Sequence, residues 1–283
     1  MVSYRFCRPD DLPLLAEAIN GCYNVHFPEN RHMDLEGIKK EAKELNLWAS
    51  SCMAAMEGSS PVAVLIGAKR AHGTLISRIG AKPGYLRQGH ASHMVRSLSA
   101  KLAIIGPPQL AVELPQRRSD LCEFFEKLGF RTCQSLVDYR RIGGLPRLAA
   151  AAALEPLTLE EALGFDQLWL PEPHAWLRAR ETLLNRKQSL SCLAVVSAET
   201  VEAALIYEMN PEEGRITLHR FGGAHRERGP LFLELLLRGL PCDENTVLEA
   251  QKMEEAELPG SLFSKWGFTV RERFVRLEAT ANA

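Results

Sequence analysis

Five segments of this chain recur in the same order at nearly constant spacing, which constrains the fold more than any other feature. Cys52-Met-Ala-Ala-Met aligns with Cys192-Leu-Ala-Val-Val, and Val62-Ala-Val-Leu-Ile with Val201-Glu-Ala-Ala-Leu. Arg78-Ile-Gly aligns with Arg220-Phe-Gly, Gly89 with Gly229, and Phe125-Glu-Lys-Leu-Gly-Phe130 with Phe263-Ser-Lys-Trp-Gly-Phe268. With the matched pair Glu113 and Glu249 included, the offsets stay between 136 and 142 residues. Two repeats of about 140 residues are too long and too few for a solenoid, so each is expected to be a domain. The turn Gly143-Gly144-Leu145-Pro146, followed by the alanine run 149–153, sets the expected boundary between domains 1–145 and 146–283.

Within the first repeat the hydrophobic period changes from helical to alternating and back. Leu12, Leu15 and Ile19 share one face of a helix over 10–22, and a polar stretch from His26 to Asp34 leads to a second helix near 35–47. Strand signals follow at Ser51–Met56, Val62–Gly67 and Thr74–Ala81, separated by Gly- and Pro-containing turns. Ala91, Met94, Val95, Leu98 and Leu102 form one buried stripe of a long helix from about Gly89 to Ile104. A short strand at Leu110–Leu114, a helix at Ser119–Leu128 and a strand at Phe130–Ile142 complete the order α-α-β-β-β-α-β-α-β. The fold class is therefore α/β (α+β).

Composition narrows the function classes. At 46% hydrophobic and 24% charged residues the 283-residue chain is an ordinary globular sequence, which argues against disorder and low-complexity classes. Residues 1–147 carry a net +6 and residues 148–283 a net −7, adding to −1 overall. An anionic ligand is thus favoured by the first half, although charge complementarity between two domains explains the split equally well. No overall basic excess points to nucleic acid, and no uncharged apolar run reaches the roughly 18–20 residues that span a bilayer. The start MVSYRFCRPDD has no apolar core of a secretory signal, and the seven scattered cysteines show no metal-ligand or disulfide spacing. A cytoplasmic protein without a metal is expected.

The segment Ala81-Lys-Pro-Gly-Tyr-Leu-Arg-Gln-Gly-His-Ala-Ser92 follows a strand and opens a helix, and Phe124-Phe-Glu-Lys-Leu-Gly-Phe130 lies about 35 residues beyond it. Together they resemble the GNAT superfamily, the acetyl-CoA-dependent N-acetyltransferases. The first is similar to that family's pyrophosphate loop, the second to its Y-E-K-L-G-F signature. The resemblance covers residues 3–142 in element order and repeats more weakly in the second copy. It implies two tandem GNAT-like domains, each a mixed, mostly antiparallel sheet flanked by helices. The physical basis of the loop is independent of the family. A helix N-terminus presents about four unpaired backbone N–H groups and roughly half a positive charge, and a short Gly-containing turn lets a pyrophosphate approach them. Gly89 and Ala91 remove obstructing side chains, Ser92 adds a hydroxyl, and Arg87 and Lys82 add positive charge. The resemblance implies that the amides of Arg87, Gln88, Gly89, His90, Ala91 and Ser92 hold the phosphates of acetyl-CoA and that Ile79–Ala81 (Ile79 and Ala81 above all) bonds its pantetheine arm.

Transfer to an amine requires deprotonation of the ammonium group. Glu113, in the strand after the long helix, is the expected base, with a structural role as the alternative because Glu249 occupies the matching position. His26, in the loop that shapes acceptor specificity in the family, is the expected substrate-binding residue. Three departures from the family pattern stand out: Leu86 where Arg or Gln is usual, Arg118 where Asn is common, and Phe125 where a tyrosine protonates the departing thiolate. A phenyl ring has no proton to give. In the second copy Arg226-Glu-Arg-Gly229-Pro-Leu231 places a proline, a leucine and an acid in the loop, so no CoA is expected there. The resulting expectation is an acetyl-CoA-dependent N-acetyltransferase acting on an amine, small-molecule or peptide, with the N-terminal copy active and the C-terminal copy structural. The alternative is a catalytically silent module that binds CoA, a small ligand or a protein partner.

Overall fold

The computed structural model describes residues 1–146, 154–169, 175–197, 200–224 and 227–282. The alanine run at 149–153 and the loop residue Arg226 lie outside the described residues. The chain divides into two compact units, Met1–Gln134 with Val275–Ala283, and Ser135–Phe274. This division differs from a single break at 145/146, because the C-terminal segment belongs to the first unit.

Unit 1 begins with a strand absent from the sequence reading, β1 (Val2–Phe6), whose inward residues alternate with outward ones. Helices α1 (Leu12–Ala18) and α2 (Leu35–Leu45) follow. Asp34 caps α2 by accepting the Gly37 N–H at 2.7 Å. Strands β2 (Met53–Glu57), β3 (Ser60–Lys69) and β4 (Thr74–Ala81) form an antiparallel ladder that β1 joins through β2. Helix α3 (His90–Ile105) crosses over to β5 (Gln109–Pro115), parallel to β4, and α4 (Ser119–Lys127) precedes β6 (Arg131–Ile142). Met94, Val95, Leu98 and Leu102 of α3 pack with Leu65, Ile76, Leu110 and Phe125 on one face of this sheet. Leu15, Ile19 and Ile38 cover the other face above Ala54, Val64 and Ile66.

Unit 2 repeats the order with β7 (Leu154–Leu157), α5 (Leu159–Gly164), α6 (Arg180–Asn185), β8 (Leu190–Ser197), β9 (Thr200–Asn210) and β10 (Arg215–Gly223). Then come α7 (Gly229–Gly239), β11 (Val247–Glu254), α8 (Gly260–Lys265) and β12 (Thr269–Thr280). Its sheet runs β6-β11-β10-β9-β8-β7, with only the β10–β11 pair parallel. The repeats trade their last strands. From Ser135 onward β6, the final strand of the first repeat, pairs with β11. From Val275 onward β12, the final strand of the second, belongs to unit 1, where it neighbours β5 and buries Leu277 in the core. Among the described residues no helix is long and apolar enough to cross a membrane.

Candidate functional site

The site in unit 1 originates where two parallel strands part. β4 and β5 pair only through Thr74–Ile76 and Leu110–Val112, after which Ser77 is bulged out of the β3–β4 ladder. A bulge turns the strand and ends regular pairing, and β4 continues from Arg78 to Ala81 without β5 in register. Gly80 permits close approach from the other side, since an added Cβ would sit 2.3 Å from the carbonyl oxygen of Cys22. That oxygen belongs to a π-helical turn, Ile19–Tyr23, which is thereby pressed onto β4.

Beyond β4 the chain makes a short turn at Pro83–Tyr85 and enters two left-handed residues, Arg87 at φ 58° and Gly89 at φ 85°. Gly89 is the residue before α3 and makes no side-chain cap, so the first amides of the helix keep their donors. Nothing lies within 4 Å of a Cβ built on Gly89, so its conformation and not its space asks for glycine. Left-handed residues beside helical ones turn successive N–H groups to one side, a concavity suited to anions.

These amides open onto a cleft of about 660 Å³. Its walls are His26 and Phe27 from the loop after α1, Ile79–Ala81 of β4, the Tyr85–Arg87 turn, Gly89–Ser92, and Arg118, Leu121, Phe124 and Lys127 around α4. Eight residues singled out from the sequence therefore meet here: His26, Ile79, Ala81, Arg87, Gly89, His90, Ala91 and Ser92. Gln88 does not line the cleft, and its amide donates back to the Gly84 carbonyl at 2.9 Å. Lys82 also turns elsewhere, donating to Ser60 Oγ at 2.8 Å. The His90 ring is buried beneath the loop, with Nδ1 2.6 Å from the Tyr4 hydroxyl.

Glu113 is outside the cleft. Its carboxylate pairs with Arg276 at 3.3 Å, and both side chains are more than nine-tenths buried. Glu249, its counterpart, pairs with Arg271 at 2.8 Å. Both repeats thus use this position to hold an arginine of β12. Arg78 is likewise structural, held by both oxygens of Glu41 at 2.5 and 3.0 Å. Phe125 is fully buried against Phe124 and Phe130. Cys22, in the same segment as His26, is buried, and burial pushes its thiol up to about 11, away from the reactive thiolate form.

His26 is placed differently. Its Nε2 lies 2.7 Å from the carbonyl oxygen of Ala81, and a carbonyl can only accept, so Nε2 carries the proton and Nδ1 is the acceptor nitrogen of the neutral ring. Three dimensions add Phe27 and bring it together with Arg118. Arg118 lies 4.9 Å from the centre of the Phe27 ring and donates twice to Asp120, at 2.9 and 2.8 Å, holding that carboxyl below its usual range. Phe27 stacks on Tyr23 at 4.6 Å. No sequence pattern joins positions 27 and 118. Among the described residues no group of three or more His, Cys, Asp or Glu is placed to hold a metal ion.

No protein-family model matches the sequence, and no curated protein is detectably similar to it. Solved structures are similar over the whole chain. A GCN5-related N-acetyltransferase from Sphaerobacter thermophilus aligns at a TM-score of 0.68 and 13% identity, covering 100% of this chain and 96% of that one. A tandem GNAT protein from the clavulanic acid biosynthesis pathway aligns at 0.65 and 12% identity, covering 100% and 99%. A GCN5-related N-acetyltransferase from Anabaena variabilis aligns at 0.65 and 13%, covering 100% and 73%.

Proposed function

From the premise that this chain has the tandem fold of the GCN5-related N-acetyltransferases, we propose that it is an acetyl-CoA-dependent N-acetyltransferase whose unit 1 binds the cosubstrate. The observation that carries this reading is the loop Arg87–Ser92, which presents helix-terminal amides and two left-handed residues to a cleft of about 660 Å³. The residues fit the group. A pyrophosphate is matched by clustered N–H donors and a cation, and the cleft supplies the amides of Gly89 to Ser92 beside Arg87. Bound acetyl-CoA supplies an acetyl group activated as a thioester. The edge of β4 at Ile79–Ala81 positions the pantetheine arm, and Phe124 and Leu121 give it an apolar wall.

On the acceptor side, His26 takes the place first assigned to Glu113. With Nε2–H committed to Ala81, its Nδ1 is left free of that contact to receive a proton from an ammonium. Glu113, engaged by Arg276, is assigned to the architecture. The acceptor is an amine. Arg118, Asp120 and Phe27 shape its entrance.

One observation favours a second reading, a silent module that binds CoA without turning it over: Phe125 offers no proton and is sealed in the core. Titration of acetyl-CoA into wild type and Gly89→Trp decides the first question. A single site per chain, lost in the variant, supports the assignment to unit 1. Absence of binding removes it. Release of CoA thiol in the presence of an amine panel then separates enzyme from silent module.

A further inference from the structure

Unit 2 repeats the construction of the cleft up to the point where its parallel strands part. β10 and β11 pair through Arg215–Leu218 and Val247–Ala250, and His219 is bulged from the ladder to β9 as Ser77 is from β3. Strands that diverge leave backbone groups without ladder partners, and buried groups of that kind must be satisfied by something else. In unit 2 the partner is a side chain. Arg178, fully buried, donates from Nε to the His219 carbonyl of β10 at 2.5 Å and from Nη1 to the Lys252 carbonyl of β11 at 3.2 Å. Its remaining nitrogen donates to Glu257, whose side chain is only 2% exposed. Glu257 in turn accepts the Phe221 N–H at 3.0 Å.

Phe221 is the repeat counterpart of Ile79, the residue at the start of the β4 edge that lines the cleft in unit 1. Local features of the sequence put the carboxylate there. Counting back from Phe263 and Phe125, Glu257 corresponds to Ser119, the first residue of α4. Pro259 disfavours helix at the residue before it, so α8 starts only at Gly260 and Glu257 is left in a loop that reaches the strand edge. Lys252 adopts a left-handed conformation at φ 52°, uncommon for a residue with a side chain, where its carbonyl meets Arg178.

We propose that the Arg178–Glu257 pair is a built-in occupant of the second acyl slot. The carboxylate takes the strand-edge amide that, on the reading of unit 1 given above, faces the cosubstrate, and the guanidinium fills the gap between the strands. The opening of about 370 Å³ that remains beside Phe221–Ala224, Trp169 and Leu262 is therefore closed at its inner end to an acyl-pantetheine arm. The chain binds one acetyl-CoA.

Hydrogen exchange resolved to single amides, on the full chain with and without acetyl-CoA, tests this. In wild type the Phe221 amide is expected to be protected without ligand, and acetyl-CoA to protect Ile79 to Ser92 while leaving Phe221 to Ala224 unchanged. In the double variant Arg178→Met/Glu257→Leu the Phe221 amide should exchange roughly tenfold to a hundredfold faster, the equivalent of one charge-assisted hydrogen bond, with β8 and β9 still protected. The proposal is overturned by acetyl-CoA-dependent protection at Phe221 in wild type, by an unprotected Phe221 amide in the ligand-free protein, or by unchanged Phe221 exchange in a folded double variant. The ligand-free wild-type measurement decides even if the variant does not fold. An absence of any acetyl-CoA effect along the chain overturns the reading of unit 1 instead.

Discussion

Leu277 lies at the far end of the sequence, yet its side chain is completely buried in unit 1, in one cluster with Leu110, Val112, Phe125 and Phe130. Replacing it with alanine removes three carbons from this core. At about 0.8 kcal/mol per buried methylene the transfer loss is roughly 2.4 kcal/mol, and an unfilled cavity raises the cost to about 3–4 kcal/mol. Each 1.4 kcal/mol is about tenfold, so the equilibrium for opening unit 1 should rise roughly 140- to 700-fold. Exchange of the slowest amides of α3 and β5 reads this directly, because core amides report the least frequent openings. Leu236→Ala, in the core of unit 2, is the matched control. If Leu277→Ala accelerated exchange in β8 and β9 but left α3 and β5 unchanged, the assignment of the last strand to unit 1 would be wrong.

Other substitutions probe separate parts of the argument. Arg178→Met alone leaves the Glu257 carboxylate buried without its cation and should cost about 3–5 kcal/mol in thermal or denaturant unfolding, whereas Arg178→Met/Glu257→Leu should recover most of it. Gly80→Ala drives a methyl group against the Cys22 carbonyl, and a loss of about 1–3 kcal/mol is expected from overpacking. The shift of the π-helical turn should also raise the KM for the amine more than that for acetyl-CoA, which steady-state kinetics would separate. The Glu208 carboxyl is held down to about 2 by His219 and by Arg186. A depressed carboxyl contributes stability that is complete above the unfolded value near 4.5 and disappears as pH falls towards about 2. Glu208→Gln should flatten that stretch of an acid-unfolding curve, and an unchanged slope would refute the pairing. Asp34→Ala removes the cap of α2 and should cost about 1 kcal/mol.

The parts of the molecule legible in the sequence are those governed by local rules. The buried stripe of α3 follows from helical spacing, the Gly89 loop from its position before a helix, and the duplication from matched segments. β1 escaped notice because five residues at an edge carry too short an alternation to register, and only pairing with β2 makes them a strand. Glu113 looked like a base because its pairing partner is 163 residues away, beyond any window of pattern. The exchange of β6 and β12 is similarly invisible: each has the composition expected of a final strand, and nothing local says which sheet receives it. His26 was legible as a polar residue in a loop, but the tautomer that makes Nδ1 an acceptor follows only from its contact with Ala81.

The strand exchange also sets a timetable for synthesis. Every residue of unit 2 has left the ribosome before Val275 appears, while unit 1, begun first, still lacks the strand that lies beside β5. During that interval β5 presents an unpaired edge, the kind of surface on which nascent chains mispair. The half that is started first is therefore the last to be finished, and a premature stop that spares nearly the whole chain leaves it open.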